Sequence, residues 1–144
     1  MINATIEKFG YPASLIAERD HWVVLVRPQA VTLGSLILAA KGDATAYGAL
    51  PAEAFAEQAQ LVTMIEAALA SFVDYDKINY LMLMMVDPNV HFHVIPRYEG
   101  NREFQQAVYT DAGWPGMPDL SSARPLDRQT IEGTAKALRA FELA

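Results

Sequence analysis

Two of the chain's three histidines lie two positions apart in the segment Asn89-Val90-His91-Phe92-His93-Val94-Ile95-Pro96, framed by β-branched and aromatic residues. Successive side chains of a strand point to opposite faces, so residues two apart share a face. Asn89, His91 and His93 then form a polar row, while Val90, Phe92 and Val94 point into a core. A neutral imidazole is a nucleophile and also moves protons near pH 7. One histidine attacking phosphorus would give a phosphohistidine that water can hydrolyse. Its neighbour could donate a hydrogen bond to a phosphate oxygen or help protonate the leaving group. A strand holds such groups at a fixed spacing better than a loop does.

Two imidazoles on one strand face can also ligate a metal, completed by a carboxylate or a third histidine. Asp87 and His21 are the spare donors here, and neither sits at an obvious ligand spacing. On the residues alone, phosphoryl or nucleotidyl chemistry, metal binding and a structural role all remain open.

Ser14 to Glu18 and Trp22 to Val26 are two strands separated by Arg19-Asp20-His21, and Leu36 to Ala40, entered through Gly34, is a third. Together they suggest an antiparallel meander. Pro51 to Phe72 is a long helix, with Phe55, Ala59, Val62, Ile65, Leu69 and Phe72 recurring at helical steps. Ile78 to Val86 reads as a fourth strand, whose unalternated run Leu81–Val86 predicts cover on both faces and would suit burial at a subunit contact. The turn Asp87-Pro88-Asn89 leads into a fifth strand, Val90 to Ile95. The pattern fades over residues 99–126, an irregular segment of a length usually functional or disordered; Trp114 argues against plain disorder. Asp127 caps a final helix running to about Glu142, with Ile131, Ala135, Leu138 and Phe141 on one side. The sum is one α+β domain over residues 1–144. It has a mostly antiparallel five-stranded sheet, one long helix and a C-terminal helix.

Composition narrows the classes. Hydrophobic residues at 52% and charged residues at 19% argue for a packed globular domain. Without cysteine, disulfides, thiolate metal sites and cysteine nucleophiles are excluded. A net charge of −6 gives no broad footprint for duplex nucleic acid, but a small phosphate ligand can still meet a local patch, for which Arg27, Lys41, Arg97 and Arg102 are candidates. The first ten residues lack a secretory signal and no apolar run is long enough to span a membrane, so a cytoplasmic protein is expected.

The signature segment resembles that of the histidine triad superfamily, His-φ-His-φ-His-φ-φ with φ apolar, here read as Asn89-Val90-His91-Phe92-His93-Val94-Ile95. The stretch from Pro28-Gln29-Ala30 to Gly34-Ser35-Leu36-Ile37-Leu38 resembles the family's entry into its central strand, and the order helix, strand, signature is the same. The resemblance covers roughly residues 14 to 98. It implies a small, often homodimeric α+β domain that binds nucleotides and hydrolyses or transfers nucleoside monophosphates from dinucleoside polyphosphates and phosphoramidates. It makes His91 the nucleophile and His93 a phosphate contact, sets base and ribose near Leu25, Val26 and Arg27, and matches Asn79 to a ribose or phosphate contact. It calls for no cofactor and no metal in the covalent step. The chain departs from the family at three places. Asn89 stands for the first histidine, Ser35 for a histidine, and Met84-Met85-Val86-Asp87-Pro88 for a Gly-rich turn with phosphate donors. Asp87 would repel a phosphate if it pointed inward. A non-catalytic, dimeric nucleotide-binding module is the alternative.

Overall fold

The computed structural model describes residues 1–141 and 143. In chain order the elements are α1 (Ala4–Lys8), β1 (Leu15–Glu18), β2 (Trp22–Val26), β3 (Gln29–Ala30), β4 (Leu36–Ala40), α2 (Ala52–Val73), β5 (Lys77–Leu81), β6 (His91–Arg97), β7 (Asn101–Phe104), β8 (Ala107–Thr110), β9 (Arg124–Pro125) and α3 (Arg128–Arg139). Five strands form one antiparallel sheet in the order β1-β2-β4-β6-β5. The first three make the expected meander. The last two exchange places: β5 lies at the edge, and the histidine-bearing β6 slots between β4 and β5.

The period-two alternation sorts β2 and β4 onto two cores. Trp22, Val24, Val26, Leu36 and Leu38 face the large core under α2 and α3, whereas Val23, Leu25, Ile37 and Ala39 face a smaller one closed by Ile6 of α1. Trp22 is fully buried, and its indole N–H donates to the Ala54 carbonyl at 2.7 Å, so its polar edge is satisfied. Gly34 adopts a φ of 82° where the chain enters β4. A Cβ there would stand 2.7 Å from Val73 Cγ2, so the residue lets the turn lie directly on the end of α2.

Several expectations are corrected. The fourth strand ends at Leu81 rather than Val86. Met84 takes a φ of 55°, which breaks the extended run, and Met85 and Val86 are 85% and 80% exposed rather than covered. The segment 99–126 is not simply irregular. It holds the β7–β8 hairpin, turned through Gln105 and Gln106 at φ of 50° and 66°, and then β9 paired with β3. The buried stripe of α2 runs through Ala54, Leu61, Ile65, Ala68, Leu69 and Val73. Ala59 and Phe55 lie outside it, and Phe55 stacks on Tyr47 at 5.2 Å. Helix α3 starts as expected, with Asp127 accepting from the Thr130 amide at 2.8 Å, but ends at Arg139. Glu142, placed at the end of that helix from sequence, lies outside the described residues.

Candidate active site

β6 is paired on both sides, with Ala39 and Ile37 of β4 opposite His91 and His93, and Leu81 of β5 opposite His93. Pairing on both edges fixes the pleat, so the two imidazoles project to the same face. Their ring centroids are 5.1 Å apart at an interplanar angle of 76°. Helix α1, which sequence reasoning missed, covers them from the N-terminal side. Phe9, at its end, packs 5.5 Å from the His91 ring and 5.9 Å from the His93 ring. The sequence signal for α1 was Asn3, whose side chain caps the helix by accepting from the Ile6 amide at 3.0 Å.

Hydrogen bonds assign the two rings opposite tautomers. His91 Nδ1 lies 2.8 Å from the Asn89 carbonyl oxygen. A carbonyl can only accept, so Nδ1 carries the proton and Nε2 keeps its lone pair. His93 Nδ1 instead accepts from Arg27 Nε at 3.2 Å. A guanidinium can only donate, so His93 Nδ1 is bare and the proton sits on Nε2. Burial, the Arg27 charge and His91 push the His93 pKa down to about 4, with Asp87 opposing, so the ring is neutral at pH 7. The pair therefore combines one imidazole with a free lone pair and one that donates.

Both rings open onto a cavity of about 300 Å³ lined by Lys8, Phe9, Arg27 and the segment Leu83–Asp87. A neighbouring cavity of about 240 Å³ shares Lys8, Phe9 and Arg27 and continues over Pro28 and Gln29. Arg27 thus stands where the two meet, further anchored by donation from Nη1 to the Gln29 carbonyl. Asp87 does not confront a ligand unpaired, because its carboxylate bonds Lys8 Nζ at 2.8 Å across the rim.

Of the other residues expected at the site, Asn89 touches it through the carbonyl that holds His91, whereas Leu25, Val26 and Asn79 lie outside the two cavities. Asn89 is held by Thr5, whose hydroxyl donates to Asn89 Oδ1 at 3.0 Å and accepts from the Asn89 amide at 3.2 Å. Leu25 shares the histidine face but is fully buried beneath α1, and Val26 points to the opposite core; neither lines a cavity. Asn79 sits two residues before Leu81 on β5 and accepts from Arg97 Nη1 at 2.9 Å. With Arg97, Lys77, Trp114 and Met117 it borders a separate cavity of about 540 Å³. Arg97 is buried and paired with Asp111 at 2.7 Å, a partner not singled out from sequence. The proposed cationic patch dissolves accordingly. Lys41 pairs with Glu18, Arg102 caps the end of α2 through the Val73 and Asp74 carbonyls, and Arg27 alone reaches the histidines. Among the described residues no group of three or more histidine or acidic side chains gathers as metal ligands. No helix among them is long and apolar enough to cross a membrane.

No family model and no curated protein matches the chain. Solved structures do. A histidine triad protein from Sinorhizobium meliloti aligns over 97% of this chain and 95% of its own at 20% identity, with a TM-score of 0.75. One from Marinobacter aquaeolei aligns over 96% of each chain at 22% identity and a TM-score of 0.68. A diadenosine triphosphate hydrolase from Plasmodium falciparum aligns over 90% of this chain and 76% of its own at 11% identity and a TM-score of 0.66. The chain has the α+β fold of the histidine triad proteins.

Proposed function

We propose that this is a histidine triad enzyme, a nucleotide hydrolase or nucleotidyl transferase acting on nucleoside phosphoramidates or dinucleoside polyphosphates through a covalent histidine–nucleotide intermediate. The observation that carries the reading is the opposite tautomers of two imidazoles at one cavity. His91 Nε2 attacks the α-phosphorus, forming a P–N bond as the bond to the leaving group breaks. The leaving group takes up a proton from solvent. Water then attacks the phosphorus, the His91–phosphorus bond breaks, and the proton returns to solvent with the nucleoside monophosphate. His93 donates from Nε2 to a non-bridging oxygen, and Arg27 supplies positive charge where charge accumulates. The nucleoside moiety lies in the cavity over Pro28 and Gln29. A homodimer is part of the same reading; β5 is an outer strand that a second copy can extend.

A non-catalytic nucleotide-binding module is favoured by one feature, the tie of Asn89 to Thr5 where the family carries a histidine. Turnover decides between them. The protein is incubated with adenosine phosphoramidate and diadenosine polyphosphates beside His91→Ala, with intact-protein mass spectrometry after an alkaline quench to trap the adduct. Turnover and a nucleotide adduct in the wild type, both lost in His91→Ala, are expected. AMP binding without turnover in either protein would establish the module instead.

A further inference from the structure

The charge lining the histidine groove is small and unevenly placed. Lys8 is matched by Asp87 at 2.8 Å. Among the described residues lining the two joined cavities, Arg27 is the cation left without an acidic partner. Its Nε and Nη1 are engaged by His93 and the Gln29 carbonyl, which leaves Nη2 without a hydrogen-bond partner among the described residues. The wall over the histidines is of another kind. Residues 82–86 read Met-Leu-Met-Met-Val, without a hydroxyl or amide side chain, and Asp87 follows. Leu83, Met85 and Val86 hold their side chains in solvent at the mouth, at 47%, 85% and 80% exposure. Apolar surface left open at the mouth of a cavity is a contact area, and methionine adapts to varied shapes. A run of phosphates laid along this wall would face thioethers and the Asp87 carboxylate, with no second free cation to replace its hydration.

The geometry points to Arg27 as the residue that sets the substrate class. The site takes a phosphoryl group bearing one negative charge, joined to an apolar leaving group that lies against Leu83–Val86, and it disfavours chains of phosphates. This deepens the phosphoryl-transfer reading above and rests on it. Arg27 acts twice: through Nε it fixes the His93 tautomer, and through Nη2 it meets a single non-bridging oxygen. Breaking the rim pair to recruit Lys8 would not help a polyanion, because Asp87 would then stand uncompensated beside it.

The probes are adenosine 5′-(N-benzyl)phosphoramidate, singly charged with an apolar amine, and diadenosine triphosphate. The wild type is expected to prefer the phosphoramidate in kcat/KM by at least about tenfold, the ratio that one poorly matched, partly screened charge supports. Arg27→Gln, which loses a charge-assisted contact, lowers kcat/KM for the phosphoramidate by about 10- to 100-fold. It also moves the titration of the His93 ring, followed by its ring proton resonance, to higher pH, since His93 loses the cation beside it; a merely structural role would lower the rate without moving that titration. Asp87→Asn removes the rim acid and raises diadenosine triphosphate turnover relative to the phosphoramidate, a gain that misfolding cannot imitate. If the wild type turns over both compounds with the triphosphate equal or preferred, the assignment of class fails while the phosphoryl-transfer reading stands. If neither compound is turned over, that reading fails and this inference with it.

Discussion

Protonation of His93 offers a test that needs no substrate. His93 is 8% exposed and its ring faces Arg27 and His91, both disfavouring a proton, with Asp87 favouring one and Lys8 offsetting Asp87. Its pKa falls from 6.5 in the unfolded chain to about 4 in the fold. Between those values the unfolded state binds the proton and the folded state does not, so stability falls as pH drops through the window and levels off below it. At 1.36 kcal/mol per pKa unit the limit is about 3 kcal/mol. The rings border an open cavity at the surface, and screening there brings the expectation to about 2 kcal/mol. Urea denaturation of wild type and His93→Gln at several pH values between about 7 and 4 isolates the effect, because carboxylates such as Glu18 titrate alike in both proteins. The wild type should lose about 2 kcal/mol more than the variant across this range. The His93 ring proton resonance should titrate near pH 4. A titration midpoint near 6.5, or equal pH slopes in the two proteins, would refute the burial of His93 and its contact with Arg27.

Two further substitutions probe the frame around the site. Asp111→Ala strips the partner from the buried Arg97 guanidinium and should destabilise the fold by about 3–5 kcal/mol, read by chemical denaturation; near-wild-type stability would contradict the bidentate pair. Gly34→Ala combines a left-handed backbone with a Cβ 2.7 Å from Val73 Cγ2 and should cost about 2–4 kcal/mol in the same assay.

Local periodicity carried much of the fold. β2 and β4 match their expected spans because strong β-formers are bounded by Arg19-Asp20-His21, Pro28 and Lys41-Gly42. Asp127 announced α3 because an N-cap is a local interaction. What failed was set by distant contacts. The slotting of β6 between β4 and β5 is a pairing choice that no short window contains. Met82–Val86 has the composition of a strand, yet the positive φ at Met84 turns it into the wall of a cavity. The β7–β8 turn was illegible because glutamines fill left-handed positions where Gly or Asn is the usual signal. In α2, Ala54 and Ala68 rather than Phe55 meet the sheet, since small side chains allow close approach and the larger ring finds Tyr47 instead. At the site, the shared face of His91 and His93 followed from the pleat alone. The tautomers did not, because they depend on Arg27, 66 positions away from His93 in sequence.

The division between β6 and the segment after β5 has a consequence for how such a protein can change. Sliding β6 by a single position would bury both imidazoles and bring Phe92 and Val94 to the groove, so reactivity there is all or nothing. Residues 82–88 lie outside the ladder and are joined to α1 at the rim by the Lys8–Asp87 pair, whose lysine end is exposed, a contact of the kind that adds little to stability. Selection, or an engineer, can rewrite that rim for a new leaving group while the reactive pair stays untouched.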